Sequence, residues 1–254
     1  MNILILCSHP YSLINFRGKL IKELIYKKNK VFVMAPNINA NLYLNKQLKE
    51  LGVEAINYPI NNRSLNIYKD FLTFFKISYN LIHLNIGLVF PYTIKPIIYS
   101  GLSVRFIRLI FRKDIKFFPL ISGLGITFTK TSKSYINKFL NLFISFLYKE
   151  GLKNSDCIIF QNPDDRNELR NLKIINKKQK TIRVWGSGVD LEDFKPKPIP
   201  DSKVFLMISR LLIEKGVCEY IKAASIIKKK YPNVKFRLIG GVTSNQYSLI
   251  DQNF

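Results

Sequence analysis

The chain opens Met1-Asn2-Ile3-Leu4-Ile5-Leu6-Cys7-Ser8-His9-Pro10-Tyr11, and the run from Ile3 to Cys7 decides the fold. It is apolar at every position rather than at alternate ones, which is the pattern of a strand covered on both faces of a parallel sheet. It also lacks the basic n-region and longer apolar core of a secretory signal, so it reads as a first strand of the folded protein. Similar short runs recur at 31–35, 54–57, 81–84, 116–121, 157–160, 181–184, 204–208 and 236–239, separated by longer segments with helical periodicity. Strands alternating with helices predict an α/β fold with a doubly wound parallel sheet.

Other local signals sharpen that pattern. Asn162-Pro163-Asp164-Asp165 supplies an N-cap, a first-turn proline and two carboxylates at the positive end of a helix. Pro196, Pro198 and Pro200 stand at every second position and exclude helix and sheet interior, so 193–203 reads as a linker. The expected organisation is a Rossmann-like domain over 1–192, that linker, and the first β-α-β unit of a second Rossmann-like domain over 204–254. Such a unit has exposed edges and too little core to stand alone, so the second domain is read as incomplete. Residues 242–254 carry no clear element.

Composition bounds the function. In 254 residues there are 40 Lys or Arg and 17 Asp or Glu, a net charge of +23, with 47% hydrophobic residues. That much apolar material builds a core and excludes a disordered basic tail. Cys7, Cys157 and Cys218 are isolated, and His9 and His83 are the only imidazoles, so neither a disulfide framework nor a zinc site can be read. No apolar run reaches the ~20 residues of a membrane-spanning helix, and the expected location is the cytoplasm. Residues 1–150 carry 21 cations against 6 acids. There Arg105, Arg108, Arg112 and Lys113 interleave with Phe106, Ile107, Leu109, Ile110 and Phe111, while 135–148 is rich in Phe and Leu. Basic, aromatic helices of this kind suit an anionic bilayer surface or a phosphate-bearing ligand; the alternative is a core-facing stripe with a solvated cationic face.

In an open α/β sheet, ligands bind beyond the carboxyl ends of the strands. The first such loop, from Ser8 to about Gly18, is expected to run into a helix whose free amides hold an anion. Neither a G-x-G-x-x-G fingerprint nor a P-loop is present, which removes the usual signs of a dinucleotide dehydrogenase or a P-loop NTPase. His9 is read as a structural surface histidine in preference to a ligand or base. Ser122-Gly123-Leu124-Gly125-Ile126-Thr127-Phe128-Thr129 offers glycines for close approach and uncharged hydroxyls. Gly186 and Gly188, beside the chain's single Trp185 and just ahead of the linker, suggest a hinge or cleft lining. Arg210 and Lys215, five apart on a loop that turns into a helix, offer a planar fork and a point charge to a diphosphate.

Six ordered segments resemble the retaining glycosyltransferases of family 4, of GT-B architecture. They are Asn15-Phe16-Arg17-Gly18; Thr93-Ile94-Lys95-Pro96-Ile97-Ile98-Tyr99; Ile121-Ser122-Gly123-Leu124-Gly125; Phe160-Gln161-Asn162-Pro163-Asp164-Asp165; Gly186-Ser187-Gly188-Val189-Asp190-Leu191-Glu192-Asp193-Phe194; and Ile208-Ser209-Arg210-Leu211-Leu212-Ile213-Glu214-Lys215-Gly216. The character is that of bacterial transferases that extend undecaprenyl-diphosphate-linked glycans.

The resemblance implies a GT-B-like fold and transfer of a hexose or N-acetylhexosamine from a UDP-sugar to a lipid-diphosphate-linked or surface-polysaccharide acceptor. Arg210, Lys215 and Gly18 would contact the donor diphosphate, while Asn15, Lys95, Ser122 and Gly123 would face acceptor or sugar. No metal or other cofactor is implied, because protein cations offset the leaving-group charge. Many members carry a His where this chain has Ser122-Gly123, so no catalytic residue is assigned. The family's paired glutamates would fall beyond Phe254, and the sequence reads as an N-terminal portion. The competing expectation is a non-catalytic module that docks on membrane or on a partner transferase. A nucleic-acid binder, motivated by charge alone, lacks any recognisable reader motif.

Overall fold

The computed structural model describes residues 1–60, 66–124, 135–198 and 200–241. It divides into two compact units between Asp193 and Phe194.

In the first unit the strands are β1 (Asn2–Leu6), β2 (Lys30–Ala35), β3 (Glu54–Asn57), β4 (Leu88–Pro91), β5 (Lys116–Phe117), β6 (Leu120–Ile121), β7 (Ile158–Phe160) and β8 (Thr181–Arg183). The helices are α1 (Tyr11–Tyr26), α2 (Leu42–Glu50), α3 (Ile67–His83), α4 (Ile94–Phe111), α5 (Tyr135–Leu152) and α6 (Pro163–Asn171). All strand pairs are parallel. One sheet has the order β3-β2-β1-β4-β5 and the other β6-β7-β8, joined through a bridge between Tyr92 and Leu120. The strand order reverses between β1 and β4, which makes the carboxyl ends of those two strands the switch point.

The all-apolar β1 is explained by what covers it. Ile3 and Ile5 pack into a cluster with Leu13 and Ile21 of α1 and with Leu44 and Leu48 of α2. Leu4 and Leu6 point the other way, into a cluster with Ile77 and Leu81 of α3, Ile97, Ile98 and Ile107 of α4, and Tyr148 and Leu152 of α5. The helices therefore form two layers, one on each face of the sheet. At α6 the Asn162 side chain accepts from the Asp165 amide at 2.7 Å and donates to the Asp165 carboxylate at 2.7 Å, so the cap read from the sequence is formed.

Three readings of the sequence are corrected. Residues 81–84 are not a strand: they finish α3, whose core stripe includes Ile77 and Leu81, and the strand follows at Leu88–Pro91. The helix stops because Asn85 takes a left-handed conformation (φ 46°), so one long apolar stretch is divided by a turn rather than by composition. Residues 116–121 are not one strand but two. Pro119 has no N–H to give a ladder, so the chain pairs with β4 before it and with β7 after it. Finally, the first loop does not end near Gly18. Helix α1 begins at Tyr11, directly after Pro10, whose preset φ of −59° suits a helix start.

In the second unit, β9 (Val204–Ile208) and β10 (Lys235–Ile239) pair in parallel, joined by a 3₁₀ turn (Ile213–Lys215) and α7 (Val217–Lys230). This is the β-α-β unit read from the sequence. Its buried apolar residues are Leu212, Val217 and Val234 among the described residues, and Phe205, Leu206 and Ile208 are exposed. Residues 242–254 lie outside the described residues.

Candidate functional site

The carboxyl ends of β1 and β4 deliver Cys7-Ser8-His9 and Tyr92-Thr93 to the switch point. Ser8 and Thr93 share a hydroxyl–hydroxyl hydrogen bond of 2.7 Å, and Ser12 and Tyr92 share another of 2.8 Å. Tyr58 donates to the Cys7 carbonyl at 2.9 Å and fixes the end of β1. Thr93 holds φ at 72°, a conformation that a β-branched residue rarely adopts, as α4 begins.

Arg17 lies beneath this group. On α1 the core-facing positions are Leu13, Arg17 and Ile21, so a guanidinium occupies a place in an apolar stripe and is 5% exposed. Its Cζ sits 4.9 Å from the centre of the Tyr92 ring, and Nη1 donates to the Phe16 carbonyl at 2.8 Å and to Ser187 Oγ at 2.7 Å. Its Nε is buried with no partner among the described residues. Burial lowers the Arg17 pKa, against the pull of Tyr92 and Cys7, yet a guanidinium starts so high that it stays charged.

Arg17 and Lys19 together tie the glycine-rich segment after β8 to α1. Ser187 receives Arg17 and also a 3.3 Å bond from Gln161, while Lys19 pairs with Asp190. Gly186 (φ 84°) and Gly188 (φ 72°) flank Ser187 in backbone conformations that favour glycine. The pair expected as a hinge is thus a turn held at its centre by a buried cation.

Cys7 is buried, and its Sγ donates to the His9 carbonyl at 3.3 Å. Burial pushes the thiol up from 9.0 to about 11, opposed by hydrogen bonds with Tyr92, Ser12 and the His9 carbonyl. Two results are expected. In the folded protein at mildly alkaline pH, a thiol reagent read by peptide mapping labels Cys218, which is half-exposed on α7, and spares Cys7. The fold also favours the protonated thiol, so its contribution is intact below pH 9.0 and is lost as pH rises through about 11. The melting temperature of wild type should fall across that window more steeply than that of Cys7→Ala.

The other expected site residues fall as follows. Gly18 is in the interior of α1, with its amide inside the helix rather than at a free N-terminus, which removes the reason for placing an anion there. Asn15 is exposed on α1. Lys95 is on α4, mostly buried, and donates to Asp70 of α3 at 3.0 Å. Ser122 and Gly123 are exposed just after β6; the rest of that loop, from Gly125 to Thr129, lies outside the described residues. His9 is exposed. The sequence reading gave no role to Arg17, Tyr92 and Thr93, although Arg17 and Thr93 lie in the quoted segments; a further signal for Arg17 is its four-residue spacing from Leu13 and Ile21.

In the second unit Arg210 follows β9 and Lys215 ends the 3₁₀ turn just before α7, and both are exposed. Neither charged group has a partner among the described residues. The loop after β10 presses on the same place: a Cβ on Gly240 would stand 1.7 Å from the Ser209 carbonyl oxygen. Among the described residues, no group of three His, Cys, Asp or Glu is placed to hold a metal ion.

Two Rossmann-like units in series define a GT-B-like protein. The comparisons agree with that class. Residues 189–253 match the family described as "Glycosyl transferases group 1". The chain is 28% identical over 248 residues to the N,N'-diacetylbacillosaminyl-diphospho-undecaprenol alpha-1,3-N-acetylgalactosaminyltransferase of Campylobacter jejuni, covering 92% of this chain. It spans 62% of that relative's length. Among solved structures, the sucrose-phosphate synthase of Thermosynechococcus elongatus superposes with a TM-score of 0.64 at 18% identity, over 96% of this chain and 63% of the other. The UDP-GlcNAc 2-epimerase of Methanocaldococcus jannaschii gives 0.51 at 14% identity, over 96% and 66%. The chain carries a group 1 glycosyltransferase segment on a GT-B-like fold. The epimerase shares that fold, so the fold by itself does not choose the reaction.

Proposed function

We propose that the protein is a retaining glycosyltransferase that moves a hexose or N-acetylhexosamine from a UDP-sugar to a lipid-diphosphate-linked or surface-polysaccharide acceptor. The observation that carries this reading is the continuous similarity to the Campylobacter transferase, which runs through both units rather than through one motif. Arg210 and Lys215, exposed at the carboxyl end of β9 with the amino end of α7 beside them, are suited to a diphosphate. In the transfer the bond from the anomeric carbon to the UDP oxygen breaks, a bond to the acceptor hydroxyl oxygen forms, and the hydroxyl proton passes to the departing diphosphate. The two cations meet the charge that collects on the departing diphosphate, without a metal. The hydroxyls of Ser8, Ser12, Tyr92 and Thr93 are suited to the uncharged, hydroxyl-rich sugar end of the acceptor. A lipid-linked acceptor places the protein at the inner face of the cytoplasmic membrane as a peripheral protein; no helix among the described residues is long and apolar enough to cross a bilayer.

The test is calorimetry of the full chain with UDP, followed by transfer from labelled UDP-N-acetylhexosamine to an undecaprenyl-diphosphate-linked acceptor. Saturable UDP binding with transfer is expected. Binding without transfer would favour a non-catalytic module built on the same fold, and a folded chain that does not bind UDP would overturn the reading.

A further inference from the structure

The outer face of the α3-α4-α5 layer is unlike the outside of an ordinary surface helix. Helix α3 has two apolar stripes. One, with Thr73, Ile77 and Leu81, faces the core. The other, Tyr68, Phe71, Leu72, Phe75 and Tyr79, recurs at helical spacing on the outside, with Tyr68 at 73%, Phe71 at 60% and Tyr79 at 61% exposure. A surface helix needs one such stripe; a second one implies a further apolar partner.

The stripe continues onto the neighbouring helices. Phe71 and Phe75 meet edge to face with ring centres 4.4 Å apart, Phe74 touches Phe75 at 5.4 Å and Phe106 of α4 at 5.9 Å, and Phe106 meets Phe111 at 6.3 Å. Leu109 and Ile110 on α4, and Leu142, Phe143 and Phe146 on α5, are exposed beside them. A contiguous aromatic surface of this kind marks an interaction site.

Charge identifies the partner. Residues 66–113 hold seven Lys or Arg and a single carboxylate, Asp70, which is buried against Lys95. Arg105 and Arg108 are neutralised by Glu150 and Asp156. Lys69, Lys76 and Arg112 are exposed beside the aromatic stripe and have no carboxylate partner among the described residues. Aromatic side chains rimmed by unpaired cations, with no exposed acid between them, match an anionic bilayer: rings enter the headgroup boundary while the cations stay with the phosphates. A second copy of the chain would bring the same cations face to face and repel.

We infer that the outer face of α3, α4 and α5, anchored on the Phe71 and Phe75 stripe, is a docking surface for an anionic lipid bilayer. The inference rests on the membrane reading above and gives it a specific surface, but it does not depend on sugar transfer. The experiment is co-sedimentation of the full chain with phosphatidylcholine vesicles, with and without phosphatidylglycerol. The variants are Phe71→Ser/Phe75→Ser, Lys69→Gln/Lys76→Gln, and a control, Tyr26→Ser/Tyr43→Ser, on exposed aromatics of α1 and α2 in the opposite layer. The wild type should bind the anionic vesicles and leave neutral ones. The double Phe variant should lose about tenfold or more in partitioning, and the Lys variant should lose the anionic preference, at about fivefold per cation. The control should match wild type. Because both Phe rings are exposed, an unchanged melting curve and UDP isotherm would show that the fold and the donor site survive. Binding unaffected by the Phe pair, binding indifferent to anionic lipid, or a dimer in sedimentation velocity that the Phe pair dissolves without any vesicle binding would overturn the inference. A chain that docks but does not bind UDP would leave this surface standing and remove the transferase reading.

Discussion

Arg210→Ala is expected to weaken UDP binding by about 1.5–3 kcal/mol, roughly 10- to 150-fold, and Lys215→Ala by a similar amount, as hydrogen bonds to charged groups do. The size follows from the environment of the two residues. Both are exposed after β9, and neither cation is paired with a carboxylate among the described residues. Removing either therefore removes attraction to the ligand without exposing a buried acid. Arg210→Lys should recover only part of the loss, since an ammonium keeps the charge but not the two-pronged geometry. Wild-type affinity should fall as salt is added. Isothermal calorimetry reads all three, and equal affinity in wild type and both alanine variants would sink the assignment. Gly18→Ala belongs in the same experiment. Its amide is inside α1, so UDP affinity should not move, whereas a loss would restore the phosphate contact that the sequence suggested.

Gly101→Ala should destabilise the first unit by about 2–3 kcal/mol, at the upper end of what overpacking costs. Helices α4 and α5 meet there backbone to backbone: a Cβ on Gly101 would stand 1.9 Å from the Gly151 carbonyl oxygen. From the other side, a Cβ on Gly151 would stand 2.9 Å from Ile98 Cα. No rotamer change relieves a contact with main chain, so the helices must separate and the packing of Ile97, Ile98, Tyr148 and Leu152 must loosen with them. The intrinsic gain of Ala over Gly in a helix, about 1 kcal/mol, is too small to compensate. Gly18→Ala is the matched control: Gly18 is also helical, with nothing within 4 Å of the point where an added methyl would stand, and the substitution should stabilise by roughly 0.5–1 kcal/mol. The same substitution is thus expected to change sign between two helical glycines. Differential scanning calorimetry should show Gly101→Ala lowering the melting temperature by several degrees, at about 2–4 °C per kcal/mol for a unit of this size. A melting temperature equal to wild type would show that α4 and α5 do not cross so closely.

Much of the architecture was legible because parallel strands buried on both faces carry a signal in their own composition. Residues 3–7 and 31–35 need no information from elsewhere in the chain to be read as strands. The Asn162 cap was legible for the same reason: its partners are three residues away. Misreadings arose where a distant contact decided the outcome. Leu81 packs into the core equally well as strand or helix, and its membership of α3 depends on Ile77 and on the turn at Asn85. The break between β5 and β6 depends on two different strands competing for one segment. The exposed loop that carries Arg210 and Lys215 between β9 and α7 was legible because its signals are local. Arg17 was not, because its burial comes from Tyr92 and Ser187, which are 75 and 170 residues away.

By itself the sequence determined the alternation of strands and helices, the concentration of positive charge in residues 1–150 and the transferase-like order of six short segments. Tertiary structure alone decided that Arg17 is a core cation gripping Ser187, that Gly101 and Gly151 bring two helices into contact, and that α3 presents a second aromatic stripe to solvent. The physical reason is range. Propensity, capping and charge are properties of neighbours along the chain, whereas burial, ring contact and exposure are set by what the folded chain places alongside each residue or leaves uncovered.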